Sequence, residues 1–290
     1  MSWRTVVIAS SAKLDYQMGY LVVRRDDVKK IFLDEISILI IENTAVSLTA
    51  ALLSAMTKKK IKVIFCDEKR NPSSELIPYS GSHNSSLKIR NQIRWNNSIK
   101  EEVWTVIVSD KIRKQAEYLQ ELNMPQAELL LSYLKDLREG DSTNREGHAA
   151  KVYFNALFGL EFTRSEECAI NAALNYGYSI ILSAFNREIV KNGYITQLGL
   201  FHDNMFNPFN LASDLMEPFR VIIDRIVVEI KPDVFEHEEK MQVVDVLTKY
   251  VRIAGRKETV LNAIKIYTKS VFDALEDQDI SIIRLYKNEF

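Results

Sequence analysis

The chain is short of cysteine, of net charge and of long apolar runs, and each shortage excludes something. Its two cysteines among 290 residues are Cys66, in an apolar run, and Cys168, in a helical one. Two such residues make neither a disulfide framework nor a zinc pattern, so both read as reduced core residues. The formal net charge is only −1. Total charge therefore leaves no nucleic-acid footprint, and any basic surface for DNA has to be local and offset by acidic surface elsewhere. No apolar run approaches a membrane span, and the opening MSWRTVVIAS lacks a basic segment followed by a long apolar one. These features point to a cytoplasmic protein with no membrane partner. No internal repeat or low-complexity segment is visible. What is present is the profile of a soluble globular protein, 47% hydrophobic and 27% charged, long enough for one large domain or two of ordinary size.

From Trp3 to about Ser80 the pattern favours strands. Arg4 to Ala9 is β-branched, and Lys13 to Arg24 holds two short runs split near Met18 and Gly19, a hairpin signal. IFLDEISILIIE gives two β-rich runs divided by Asp34 and Glu35. Thr44 then opens a helix, VSLTAALLSAMTKKK, with Lys58 to Lys60 at the favourable end of its dipole. IKVIFCDE follows as a buried strand. Between Asn71 and Asn97 the composition shifts to NPSS, YSGSHNSS and NN, which places a boundary near Ser80 to Ser86. His83 in that linker reads as a solvated loop histidine. Lys88, Arg90 and Arg94 beside Trp95 could touch a phosphate backbone, although an exposed helix edge explains them as well.

Beyond the linker every long segment reads as helix. Trp104, Val108, Ile112, Ala116 and Leu119 repeat at three or four within Ser98 to Asn123. Further helices are expected over Glu128 to Leu137, in REGHAAKVYFNALFG ending at Gly159, and over Ser165 to Asn192, Asp214 to Glu229, Glu236 to Ala254 and Lys257 to Leu275. The fold class is therefore α+β: a small β-rich N-terminal domain with one helix, residues 1–85, then a larger all-α domain, residues 86–290.

In the helical half, GLFHDNMFNPFNLASDLMEPFR (199–220) puts His202 in a turn-rich segment closed by Asp214 and Glu217. Glu146 lies upstream among small neighbours, Gly147 and two alanines. Thr143 to Glu146 also fits a capping box, as does Asp214 to Glu217, though Pro218 undermines the second by disfavouring helical geometry at Glu217. Together, two carboxylates and an imidazole make a mixed oxygen and nitrogen ligand set with open positions. That set suits Mg²⁺ or Mn²⁺ in phosphoryl chemistry, the imidazole tilting the choice toward Mn²⁺. A closed zinc site is not expected, because no cysteine lies near these ligands in sequence.

NREGHAAKVYFNALFG, GLFHDN and SDLMEPFR, in this order, resemble the CRISPR-associated integrase family, the first of the two core Cas proteins that acquire spacers. The likeness spans nearly the whole chain. WRTVVI to IFCDEKR, the linker SGSHNSSLKIRNQ and GRKETVLNAI are similar to members from type II systems, which use a single-protein effector nuclease. The resemblance carries the family's metal ligands onto Glu146, His202 and Glu217, with Asp214 at an auxiliary acidic position. It departs where many relatives have a Gly-Arg pair and a later proline; here stand Asn207 to Leu211 and Val221.

The resemblance implies an enzyme that is both metal-dependent endonuclease and integrase. The 3′-hydroxyl of a captured double-stranded DNA fragment attacks a phosphodiester at the border of a CRISPR repeat. Glu146 and Glu217 anchor the ion, and His202 ligates it or carries a proton. Arg145, Lys151 and Arg220 are candidate phosphate contacts that also read as ordinary surface cations. Implied partners are a second copy through the β-rich domain, the smaller core Cas protein whose dimer bridges two such dimers, and the effector nuclease. Two other classes fit the same residues: a generic metal-dependent nuclease on branched or single-stranded DNA, and a non-catalytic helical scaffold.

Overall fold

The structure, a computed structural model, describes residues 4–79 and 82–289. The boundary expected near Ser80 to Ser86 falls partly on residues 80 and 81, which lie outside the described residues, as does Trp3. The first region contains strands β1 Arg4–Ile8, β2 Ala12–Gln17, β3 Tyr20–Arg24, β4 Val28–Phe32, β5 Ile36–Ile41 and β6 Val46–Leu48, helix α1 Ala50–Lys58, then β7 Lys62–Cys66 and β8 Pro72–Leu76. The expected hairpin is there. Met18 and Gly19 both take positive φ, 48° and 88°, the backbone a two-residue turn needs if it is to match the twist of its strands.

These strands form two four-stranded sheets, ordered β1-β5-β7-β8 and β4-β3-β2-β6. In the first, β1, β5 and β7 run parallel and β8 is antiparallel at the edge. The helix expected from Thr44 starts later, because Val46–Leu48 pairs in parallel with β2 and Thr49, not Thr44, caps α1 by accepting from the Leu52 amide. NPSS, read as linker, opens β8. Proline is tolerated there because it is the first residue of an edge strand.

Strand β5 is buried along its whole length and, past a register shift at its start, alternates between two cores from Ile38 onward, as the period of two requires. Leu39 and Ile41, with Val63 of β7, face a core shared with the second sheet and α1. Ile38 and Ile40, with Ile64 and Cys66, face the helical half and join its core.

The helical half comprises α2 Ser85–Ile93, α3 Asn97–Glu121, α4 Gln126–Asp136, α5 Arg145–Phe158, α6 Ala169–Lys191, α7 Asn210–Met216, α8 Arg220–Ile230, α9 His237–Val244 and α10 Val260–Asp277. Helix α3 lies at its centre, packed on α4, α5, α8 and α10, and buries polar side chains as well as the expected apolar stripe: Asp110, Lys111, Lys114 and Gln115. Helices α6 and α8 cross closely at Gly177, where a Cβ would lie 2.6 Å from Ile223 Cγ2. The half is not all helix. β9 Tyr250–Ile253, β10 Arg256–Thr259 and β11 Tyr286–Asn288 form a small antiparallel sheet. It cuts short the helix expected over Glu236 to Ala254 and delays the next until Val260, since the alternating YVRI serves a strand better than a helix and RKET pairs back onto it. Among the described residues no helix is long and apolar enough to cross a membrane.

Candidate active site

Three distant segments meet beside α3. At the start of α5, Asp141 takes a left-handed backbone, φ 52°, and its carboxylate accepts from the amides of Arg145, at 2.7 Å, and Glu146, at 3.0 Å. Asp141 is therefore the cap. Thr143 Oγ1 is buried with no hydrogen-bond partner, so the capping box expected over Thr143 to Glu146 does not form, and the Glu146 carboxylate reaches away to accept from Lys111 Nζ on α3.

Glu217 opens a single 3₁₀ turn, Glu217–Phe219, that separates α7 from α8. The break follows from Pro218, whose ring and missing N–H disfavour a continuous helix. It leaves Glu217 buried, accepting from Lys111 Nζ at 2.5 Å and from Arg220 Nε at 2.9 Å. Burial pushes this carboxyl up, but the Arg220 and Lys111 charges more than offset it and hold it down at about 2. For Lys111 the balance runs the same way: burial favours the neutral amine, and the Glu217 and Glu146 carboxylates outweigh it and raise the pKa.

His202 lies in the loop between α6 and α7, which three buried side chains hold in place. Gln92 exchanges hydrogen bonds with the backbone of Ile195 and donates to the carbonyl of Leu198, and Asn210 donates to the carbonyls of Gln197 and Asn204. Asp214, fully buried, accepts from the amides of Leu200, Phe201 and His202. The second capping reading thus fails too, because Asp214 organises this loop rather than a helix end. The wrap is tight enough to need glycine at 199, where a Cβ would stand 2.3 Å from the His202 carbonyl oxygen.

Asp214 also takes the ring: His202 Nδ1 lies 2.6 Å from Asp214 Oδ1. A carboxylate already accepting three amides accepts here as well, so Nδ1 carries the hydrogen and the neutral ring keeps its lone pair on Nε2. That hydrogen bond raises the His202 pKa against the opposing effect of burial, and the charges of Glu217 and Glu146 add to it. Trp104, in the α3 core, stacks on Phe201 with centroids 4.6 Å apart and meets the His202 ring edge-on.

The structure thus brings Glu146 and Glu217 to one nitrogen, with His202 within electrostatic reach of both. The participant missed from sequence is Lys111; on a helix with an obvious apolar stripe, a lysine at position 111 carries no signal of its own. Arg220 is engaged with Glu217 and lies over the Tyr178 ring at 4.6 Å. Arg145 stacks at 5.4 Å on Tyr133 beside Asp136, whereas Lys151 is exposed. Trp95 packs on Tyr194 and Phe272, leaving Arg90 and Arg94 on an exposed helix edge. Cys66 is buried, but Cys168 is only half-buried, just before α6.

The donor set fits a divalent ion in one respect: two carboxylates already converge on a single cationic nitrogen, with an imidazole beside them. Among the described residues, however, no three His, Cys, Asp or Glu side chains form a cluster that could hold a metal. The ammonium of Lys111 takes the position between the carboxylates.

Residues 5–249 match the model of the family described as CRISPR associated protein Cas1. The chain belongs to the Cas1 family. It is 37% identical over 232 residues to a CRISPR-associated endonuclease Cas1 of Neisseria meningitidis serogroup C (strain 8013), covering 79% of this chain and 76% of that protein. In fold it is similar to a casposase bound to integration product, with a TM-score of 0.77 at 17% identity, covering 97% of this chain and 92% of that one. It matches equally well a chain of a Cas6-RT-Cas1–Cas2 complex, at 0.77 and 17%, over 99% of its own length but only 36% of that longer chain. Within the Cas1 family, then, this chain brings Glu146 and Glu217 onto one lysine, with His202 in electrostatic reach of both carboxylates.

Proposed function

We propose that the chain is a metal-dependent DNA integrase of CRISPR adaptation, inserting captured double-stranded fragments at a repeat border. The observation that carries this reading is the convergence of Glu146 and Glu217 on one cation, beside a histidine whose ring Asp214 has oriented. Mg²⁺ or Mn²⁺ held there would polarise the scissile phosphate and stabilise charge on the attacking and leaving oxygens. Glu146 and Glu217 supply the anionic ligands, and His202 supplies Nε2. Asp214 fixes the ring so that this nitrogen needs no reorganisation when DNA arrives. The attacking 3′-hydroxyl gives its proton to solvent as its oxygen bonds to phosphorus. The bond from phosphorus to the repeat's own 3′-oxygen breaks, and that oxygen is protonated as it leaves.

Residues 86–290 serve this chemistry, while residues 1–85 pair two copies of the chain. The likeness to a chain from a Cas6-RT-Cas1–Cas2 complex supports the smaller core Cas protein as a partner, and its dimer would bridge two such pairs. The 37% identity to the Neisseria relative supports the reading as an endonuclease Cas1; the cytoplasm is its proposed compartment, and the effector nuclease of the same system is the expected further partner. Glu146→Ala, His202→Ala and Glu217→Ala are each expected to abolish strand transfer of a labelled fragment while leaving the fold intact by circular dichroism. Folded variants that still integrate in Mn²⁺ would overturn the assignment. A fragment with a blocked 3′ end separates the two chemistries, because hydrolysis by a plain nuclease does not need the hydroxyl.

A further inference from the structure

Lys111 is a costly residue for this position unless its charge has a use. It sits on α3 with only 5% of its surface exposed, and its ammonium is shared by carboxylates 35 and 106 residues away. Removing such a cation leaves two carboxylates facing one another out of water, so the empty site needs a positive charge. A divalent ion meets the same need with the same oxygens. The two cations cannot occupy the site together, because both would lie within a few ångströms of each other where water screens them poorly.

We infer that Lys111 is the resident counter-ion of the site, that a divalent metal enters only as the ammonium leaves, and that a DNA phosphate receives the ammonium it displaces. This inference rests on the metal-dependent reading above. Three features support exchange over a fixed structural role. The lysine stem carries four rotatable carbons, so its charge can leave without moving α3. Glu217 keeps its second partner, Arg220 Nε at 2.9 Å, and so remains in place when Lys111 withdraws. The way out is open, since the side chains of His202 and Glu146 are 40% and 25% exposed, whereas Lys114, one turn further along α3, is buried against Asp110 and closed off.

An ammonium leaving by the exposed side arrives where a substrate phosphodiester approaches the ligands. Metal and DNA then assist one another: the metal frees a cation for the phosphate, and the phosphate stabilises the form of the protein that accepts the metal. Linkage makes this reciprocal. Without DNA, the resident lysine keeps the site's metal affinity low.

The test is Mn²⁺ binding followed by the electron paramagnetic resonance of the free ion, on the full chain, with and without a defined DNA duplex. Wild type is expected to bind weakly alone and about tenfold more tightly with duplex, a coupling of ordinary size. Lys111→Met is expected to bind Mn²⁺ about tenfold more tightly than wild type without DNA, and to gain little from duplex. A Lys111→Met protein that binds Mn²⁺ no more tightly than wild type, or keeps the full DNA effect, overturns the inference. Glu217→Gln separates this failure from that of the metal reading. If wild-type binding is weakened by Glu217→Gln, the metal site stands whatever Lys111 does; if no Glu217-dependent binding exists in either protein, both readings fall. Should Lys111→Met not fold, amine labelling of wild type followed by mass spectrometry decides the matter. Lys111 is expected to label faster in saturating Mn²⁺ than in chelator, and an unchanged rate overturns the exchange.

Discussion

Asp214→Asn removes one charge and almost no volume, and the geometry says how much that should matter. Oδ2 of Asp214 accepts from the Leu200 and Phe201 amides at 2.5 and 3.1 Å, and Oδ1 from the His202 amide and ring at 3.1 and 2.6 Å. An asparagine keeps one oxygen, and its NH₂ must then face two N–H donors. Two hydrogen bonds to a charged acceptor are lost, each worth about 1.5–3 kcal/mol, giving about 3–6 kcal/mol if the loop stays docked. The loop can reduce that loss by lifting locally around Phe201, which is half-exposed and whose stacking on Trp104 is worth about 0.5–1.5 kcal/mol. The expected result is a fall of about 3 kcal/mol in urea-measured stability, with amide exchange at residues 200–202 accelerated more than in the α3 core. The variant should also lose part of the wild-type pH dependence. Because the folded His202 pKa is raised, its contribution is complete below the unfolded value of about 6.5 and is lost as pH rises through the folded one. Unchanged stability together with full protection at 200–202 would refute the claim that Asp214 holds the loop.

Two further perturbations test other parts of the argument. Burial pushes Asp224 up to about 6, against its hydrogen bond from Tyr178. The folded state therefore holds this proton more tightly than the unfolded one, and the Asp224 contribution to stability should fall by about 2 kcal/mol as pH rises from 4 to 7, a loss that denaturation of Asp224→Asn should not show. Gly177→Ala would place a Cβ 2.6 Å from Ile223 and 3.0 Å from Val243. That should cost about 1–3 kcal/mol in thermal or urea denaturation, and a neutral result would mean that α6 and α8 can move apart freely.

Which parts of this were legible in the chain depends on what each signal measures. The β5 run ISILII and the stripe on α3 were visible because burial on a regular element leaves a period. The carboxylates and histidine were visible through motif likeness, since Glu146 and Glu217 both satisfied a local capping pattern that the structure does not use. Strand β11 of the small sheet was hidden because it comes from after α10, and no window along the chain contains its pairing with β9; the β9–β10 hairpin is local and lay inside a stretch read as helix. Lys111 was hidden for a related reason: its role is set by residues 35 and 106 positions away. Asp214 looked like a helix cap, whereas its partners are amides that precede it by 12 to 14 residues.

The double-sided burial of β5 bears on how such a protein can be cut or recombined. Ile38 and Ile40 belong to the core of the helical half, while Leu39 and Ile41, their immediate neighbours, belong to the other. A fragment starting after the linker would therefore expose the hydrophobic seat of Ile38, Ile40, Ile64 and Cys66, and should aggregate rather than fold. Chimeras exchanging the first region between relatives face the same wall: they need matching side chains on one face of β5 and β7, four positions that a swap of complete sheets leaves to chance.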